Sequence, residues 1–316
     1  MKIVVLDGFA ANSHDLSWAP LQQLGELTVY DRSPRETLIE RAKDAEAVII
    51  NKILLDAEVL TQLPKLRYIG FLSTGYNTVD LEAAKAQGIL VANAQGYSSK
   101  SVAQHTIAML LDWCNQFALH AQSVAKGDWS NSPDWTYRRT PLMELHGKTM
   151  GIVGLGNIGQ QTAAIARALG MKIIAYNPNS RPEGEVEWVG LDELFSRSDV
   201  ISLHCPLTPD NQGMINRSRI GKMKKEAILI NTARGGLIQE EELANALKEG
   251  QIAAALMDVL TEEPPSVNNP LIGLKNCRIS PHNAWGSVEA RSRLIQIVAD
   301  NLAAFQNGKP QSIVNR

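Results

Sequence analysis

Short β-branched runs alternate along the chain with stretches of helical periodicity. The first series is KIVVLD from Lys2, LTVY from Leu27, AVII from Ala47, RYIGFL from Arg67 and ILVAN from Ile89. Brief apolar runs separated by amphipathic segments are the pattern of strands buried on both faces, so this series predicts a parallel α/β sheet. A second series begins near Thr149 with TMGIVG and continues through KIIAYN, DVISLH, AILINT, IAAALMDV and CRIS. It predicts another sheet of the same kind, and therefore two doubly wound domains.

Between the two series, Ser101-x-x-Gln104 has the form of a capping box, and helical periodicity then runs to about Ala125 before Gly127 stops it. One continuous helix of that length spans ~35 Å. This is more than one domain usually covers, so the pattern predicts a bridge between domains or a packing surface for a second subunit, and with it a homodimer. A last helical stretch, Ser287 to Phe305, is expected to return to the first domain. The expected division is a first domain over 1–97, completed by 287–316, and a second over 98–286. No repeat of solenoid length and no low-complexity tract interrupts this plan.

Length agrees with the pattern: 316 residues exceed one ordinary core and suit two. Hydrophobic residues make up 44% and charged residues 20%, which excludes disordered, collagenous and coiled-coil classes. With Lys+Arg 31 against Asp+Glu 33 the formal net charge is -2, so no basic footprint for nucleic acid or an anionic membrane is expected. Small-molecule partners are favoured. Cys114, Cys205 and Cys277 are odd in number, far apart and never paired as C-x-x-C, which fits a reducing compartment and no zinc or other metal site. The first apolar run is too short for a signal peptide and no later one approaches a membrane span, so a cytoplasmic protein is expected.

The chemistry begins at Gly154-Leu155-Gly156-Asn157-Ile158-Gly159, which follows one predicted strand, opens a predicted helix and precedes another strand at the βαβ distance. In that setting G-x-G-x-x-G is a dinucleotide fingerprint. Gly154 permits the turn, Gly156 admits a pyrophosphate against the backbone, Gly159 allows close helix packing, and the helix N-terminus faces the negative charge. About twenty residues on, where an Asp or Glu usually accepts from the ribose 2′-hydroxyl, the chain has Asn177, followed by Ser180 and Arg181. A repulsive carboxylate is absent and a guanidinium is near enough for a 2′-phosphate, which places NADPH at least level with NADH. In the other reading, Asn177 bonds the ribose diol and Arg181 points to solvent.

Three polar segments follow strands of the same predicted domain: NTARGG with Arg234, DVLTEEP with Asp258 and Glu263, and SPHNAWG with His282. Ligands of open parallel sheets bind beyond the carboxyl ends of the strands, so these segments are expected to converge. An Arg grips a carboxylate through two parallel hydrogen bonds, a His exchanges the proton that accompanies a hydride, and a carboxylate orients that His. Taken singly, each has a structural explanation as a surface ion pair, a solvated loop charge or a core histidine. Their joint placement behind a nucleotide fingerprint favours a reaction centre.

These motifs, with STGYNTVD from Ser73, GYSSKSVAQHT from Gly96 and HCPLT from His204, make the chain resemble the D-isomer-specific 2-hydroxyacid dehydrogenases over nearly its full length. Within that family it is most similar to the glycerate dehydrogenase or hydroxypyruvate/glyoxylate reductase branch. The resemblance implies a flavodoxin-like substrate domain and a Rossmann nucleotide domain. It further implies that Arg234 binds the substrate carboxylate and carbonyl, that His282 donates the proton during reduction, and that Glu263 pairs with His282. Thr106, Cys205, Pro206, Thr232, Ala233, Asp258 and His282 would line the cofactor, NADP or NAD. Ser73, Thr74 and Gly75 would offer backbone amides to the substrate carboxylate, and Lys52, after AVII, is a further candidate contact. Trp129, Trp135 and Arg138 fall where relatives let a neighbouring subunit approach the pocket.

The expected reaction is reduction of a small 2-keto acid, such as hydroxypyruvate or glyoxylate, to the D-2-hydroxy acid. Glu263 argues against a formate dehydrogenase, which carries Gln there. The absence of Lys or Arg from Leu72–Thr78 disfavours a phosphoglycerate substrate. A dinucleotide-sensing interaction module on the same scaffold stays open at this level, because such modules retain the Arg, Glu and His set.

Overall fold

The computed structural model describes residues 1–179 and 186–316. Met1–Ser98 together with Trp285–Arg316 forms one compact unit, and Ser99–Ala284 forms another.

In the first unit the strands are β1 (Lys2–Val5), β2 (Glu26–Val29), β3 (Ala47–Ile50), β4 (Tyr68–Phe71) and β5 (Leu90–Ala92), in the order β2-β1-β3-β4-β5. All neighbours are parallel. Because successive side chains point to opposite faces, Val4, Leu6, Val48, Ile50, Ile69 and Phe71 enter one core. Ile3, Val5, Ile49 and Tyr68 enter another, covered by Leu294, Val298 and Leu302 of the helix Val288–Gln306. Ser287 caps that helix by accepting from the Ala290 amide. The chain end is tied to β5: the Asn315 carboxamide accepts from Val91 N and donates to Ile89 O.

The second unit holds β6 (Thr149–Val153), β7 (Lys172–Tyr176), β8 (Glu187–Trp188), β9 (Val200–Leu203), β10 (Ile228–Asn231), β11 (Ala254–Met257) and β12 (Cys277–Ile279). Its order is β12-β11-β10-β9-β6-β7-β8, again parallel throughout. The chain builds outward from β6 to β8, then returns to the other side of β6 with β9. The switch point therefore lies between β6 and β9, where an open α/β sheet leaves its ligand crevice. Among the described strands only β8, two residues long, was absent from the pattern.

The continuous helix expected from Ser101 to Ala125 is two helices, Ser99–Asn115 and Phe117–Ala125. Gln116 between them is left-handed, with φ 48 and ψ 40. Its buried side chain explains the break: Nε2 donates to Trp113 O at 2.9 Å and Oε1 accepts from Arg278 at 3.4 Å. The Cys114 carbonyl released from the ladder accepts Met143 N at 3.1 Å. Such tertiary bonds offset the ~1–3 kcal/mol cost of a left-handed non-glycine residue. Nor is Ser101 a cap; the helix starts two residues earlier, and the Ser101 hydroxyl donates to Ala284 O at 2.7 Å. Among the described residues no helix is long and apolar enough to cross a membrane, and no cluster of His, Cys, Asp or Glu is arranged to hold a metal.

Candidate active site

Along the carboxyl edge of the second sheet, every strand except β8 ends in one of the segments singled out by sequence. The Gly154–Gly159 loop follows β6, Asn177 follows β7, His204 and Cys205 follow β9, Thr232–Arg234 follow β10, Asp258 follows β11 and Ser280–His282 follow β12.

The glycine loop is shaped for close backbone approach. Gly154 has φ +97, and a Cβ there would stand 2.6 Å from Cys205 N. On Gly159 it would meet Gly154 O at 2.4 Å, whereas on Gly156 it would meet nothing within 4 Å. Gly154 and Gly159 are thus required by packing, while Gly156 leaves open space at the mouth of the loop. The helix Asn157–Ala168 starts at Gly156 and, among the described residues, no side chain caps its first amides, so Asn157, Ile158 and Gly159 begin a turn whose N–H groups suit an anion. These features fit the pyrophosphate of a dinucleotide.

Asn177 braces the same loop, since its Oδ1 accepts from Leu155 N at 2.7 Å. Ser180 and Arg181 lie outside the described residues. Across the switch point, Pro206 extends the β9 loop. Burial pushes the Cys205 thiol up to about 11 and the His204 imidazole down to about 4.

The Arg234 loop is braced by its neighbours. Asn231, fully buried, accepts Ala233 N at 3.0 Å and donates to Arg234 O at 2.9 Å. Gly235 follows because a Cβ there would fall 1.9 Å from Leu260 C, so the loop and the Asp258–Glu263 segment pack backbone to backbone. This leaves the Arg234 side chain exposed, with one guanidinium nitrogen on Ala233 O at 2.7 Å. Thr232 meets Thr106, which is fully buried, hydroxyl to hydroxyl at 3.0 Å.

His282 stands in the left-handed region with φ 51, its amide donating to Asp258 O at 2.8 Å. Nδ1 is 2.6 Å from Glu263 Oε2, while Glu263 Oε1 accepts Leu260 N at 3.1 Å. A carboxylate only accepts, so Nδ1 carries the proton in this bond and Nε2 is the nitrogen left for other chemistry. Asp258 is buried beneath them. Its Oδ1 accepts from Ser280 Oγ at 2.6 Å and Asn283 N at 3.0 Å, and its Oδ2 accepts from Ala284 N at 3.0 Å.

In the first unit, Lys52 and the Ser73–Gly75 segment follow the adjacent parallel strands β3 and β4 and so share one sheet edge. The carbonyls of that segment are spent inward: Ser73 O accepts Ala94 N, Thr74 O accepts Asn93 Nδ2 and Gly75 O accepts Ser73 Oγ. Among the described residues the amides of Ser73, Thr74 and Gly75 donate to no protein group. Lys52 N and its neighbours Asn51 N and Ile53 N all donate to the Asp7 carboxylate at 2.6–3.1 Å. The Lys52 side chain is exposed. Burial outweighs those three bonds and raises the Asp7 carboxyl above its ordinary value.

Sequence reasoning missed the supports: Asp7, Asn231, Gly235, Ser280 and His105. Gly235-Gly236 beside Arg234 carried a local signal, and Asn231 bonds within its own loop; Asp7, Ser280 and His105 act through bonds to distant parts of the chain.

The family model for the D-isomer specific 2-hydroxyacid dehydrogenase NAD binding domain matches residues 107–284. A hydroxypyruvate reductase of Blautia hydrogenotrophica is 48% identical over 322 aligned positions, covering 100% of both chains. A glycerate dehydrogenase of Methylorubrum extorquens is 42% identical, covering 88% of each. Among solved structures, an acyclic imino acid reductase in complex with NADPH and D-Arg superposes with a TM-score of 0.87 at 31% identity, covering 99% of this chain and 100% of that one.

Proposed function

The chain belongs to the D-isomer specific 2-hydroxyacid dehydrogenase family, and from that premise we propose that it reduces small 2-keto acids with a nicotinamide dinucleotide, hydroxypyruvate and glyoxylate first among them. The observation that carries this reading is the Glu263–His282 pair, set at 2.6 Å on the same sheet edge as the glycine loop and Arg234. When bound, the reduced nicotinamide supplies the hydride. His282 Nε2 holds the proton that the substrate's carbonyl oxygen takes up, and Glu263 keeps the ring oriented through Nδ1. The Arg234 guanidinium, with donors beyond the one bonded to Ala233 O, receives the substrate carboxylate and steadies the charge that develops on oxygen. Asp258, Thr232, Ala233, Thr106, Cys205 and Pro206 are assigned to the cofactor wall. The unit-one segment Ser73-Thr74-Gly75 is assigned to the carboxylate through its unspent amides, and Lys52 to the remaining polar end of the substrate.

NADPH is the proposed cofactor of choice. Asn177 in place of an acidic residue removes the repulsion a 2′-phosphate would meet, and Arg181 with Ser180 supplies a cation and a hydroxyl. A homodimer is proposed from the large exposed apolar side chains between Phe117 and Leu142, and a cytoplasmic setting from three free cysteines.

The test is consumption of NADPH and NADH, followed in parallel by absorbance, with hydroxypyruvate and with glyoxylate. Turnover that disappears in His282→Gln while cofactor binding persists is the expected result. Cofactor binding without turnover of any 2-keto acid would overturn the enzymatic reading in favour of a sensing role. In Arg181→Ala, NADPH preference should fall by about tenfold or more, the scale of one lost charge-assisted contact; an unchanged ratio would remove Arg181 from the phosphate site.

A further inference from the structure

The loop that carries His282 is gripped by one buried carboxylate, and that carboxylate is in turn reached by a second histidine for which the reaction has no evident use. Asp258 is 1% exposed at its side chain. It holds the loop two positions before His282, through Ser280 Oγ, and one and two positions after it, through the Asn283 and Ala284 amides. Its own carbonyl takes the His282 amide. The position and backbone strain of His282 thus depend on how firmly Asp258 and Ser280 stay in place.

His105 lies on the helix Ser99–Asn115, with Nε2 at 3.0 Å from Ser280 Oγ and at 3.7 Å from Asp258 Oδ1. The longer distance is no direct hydrogen bond, so the Ser280 hydroxyl stands between the two groups. Proton counting then fixes the direction. A serine hydroxyl has one hydrogen, and the 2.6 Å contact with a carboxylate that only accepts consumes it. Ser280 Oγ must therefore accept from His105, which requires the proton on His105 Nε2.

Resting on the functional reading above, we propose that His105 is a positioning residue for His282. Its Nε2–H, relayed by Ser280 to Asp258, holds the catalytic loop in register for proton transfer. The same helix face supports the arrangement at two further points. Ser101, four residues earlier, donates to Ala284 O, and Thr106, the next residue, meets Thr232 at the base of the Arg234 loop. Ser101, His105 and Thr106 together make this helix a strut between the proton-donating loop and the carboxylate-gripping loop.

Imidazole 15N NMR of the cofactor-free protein tests the relay directly. His105 should appear as the Nε2–H tautomer, and the His282 ring signals should move in His105→Leu and in Ser280→Ala. In turnover with hydroxypyruvate, His105→Leu should lower kcat by on the order of 10-fold, with KM within about twofold, because a small misplacement of the donor harms the chemical step more than ground-state binding. His105→Gln, whose amide can still donate, should recover most of the loss. The double variant His105→Leu/Ser280→Ala should be no slower than Ser280→Ala alone.

An Nδ1–H tautomer in the parent, unmoved His282 signals, or additive losses in the double variant would each overturn the relay. Since the tautomer is read in the parent, a variant that fails to fold leaves that arm intact. Absence of turnover in the parent would instead count against the functional reading, because the spectroscopic arm needs neither substrate nor cofactor.

Discussion

A buried imidazole without a counter-charge makes stability depend on pH in a definite direction. His204 bonds Ser202 Oγ through Nε2 at 2.9 Å, its Nδ1 is buried without a partner among the described residues, and burial pushes the imidazole down to about 4. In the unfolded chain a histidine takes up its proton near pH 6.5. Between about pH 6.5 and pH 4 the unfolded state therefore binds more protons, and stability falls as pH is lowered; above pH 6.5 the contribution is fully present. A shift from about 6.5 to about 4 corresponds to a loss on the order of 2–3 kcal/mol by pH 4. Urea midpoints measured across this range should show that slope in the parent and a shallower one in His204→Gln; parallel slopes would refute it.

The cysteines give a second prediction at this scale. Burial raises the Cys114 and Cys205 thiols to about 11 and Cys277 to about 12, so a thiolate-directed reagent at pH 8 should leave the native protein almost unlabelled and label all three after denaturation. Fast labelling of native Cys205 would show that the β9 loop opens. Arg234, Glu263 and His282 were legible in the sequence because each sits in a contiguous polar segment directly after a strand. Asp7 and His105 were not, since what defines them is a bond to a loop carried by another part of the chain, 175 residues away for His105 and Ser280.

At the scale of elements, the glycine loop separates folding from binding. An alanine at Gly159 would drive its Cβ to 2.4 Å from the Gly154 carbonyl. Backbone cannot yield cheaply there, and Gly159→Ala should cost roughly 2–4 kcal/mol in stability, seen as a lowered denaturant midpoint. At Gly156 the added methyl meets no atom of the described residues within 4 Å. Gly156→Ala should therefore keep the parent's midpoint yet weaken dinucleotide binding by about tenfold or more, read by quenching of protein fluorescence, because the methyl occupies the space a pyrophosphate needs. Equal loss of stability in both variants would contradict this division of roles.

The strands other than β8 were readable because parallel strands must be apolar on both faces; their order within each sheet was not read. The break at Gln116 was not, since the periodicity on either side is continuous and the cause is a buried carboxamide bonded to Arg278, far along the chain.

For the whole molecule, the decisive feature is a surface that one chain leaves uncovered. Phe117 is 77% exposed and Trp135 87%, with Trp129 and Leu142 at least half exposed. These side chains are not loosely held. The segment after the helix Phe117–Ala125 is pinned back by Ser123 to Asp128, Tyr137 and Arg139, by His120 to Arg139 N, and by Trp129 Nε1 to Trp135 O at 3.0 Å. Polar contacts thus fix its shape while its aromatic rings face outward, the reverse of what solubility alone would select. Beside it lies a cavity of about 630 Å³ lined by Trp113, Gln116, Leu142 and Lys148, and the Thr140 hydroxyl there is buried with no partner among the described residues.

A second copy meeting this surface across a two-fold axis would cover both apolar sets at once, which is the commonest closed arrangement. Light scattering coupled to size exclusion should give twice the chain mass, and Phe117→Ser/Trp135→Ser should shift it toward one chain with a lowered thermal midpoint. A parent that remains a single chain at tens of micromolar would sink the dimer and leave the patch to a different partner. The sequence led to the same expectation through a helix it read as too long for one domain. The helix is in fact two, and the argument for association passes from its length to the exposed side chains that follow its break.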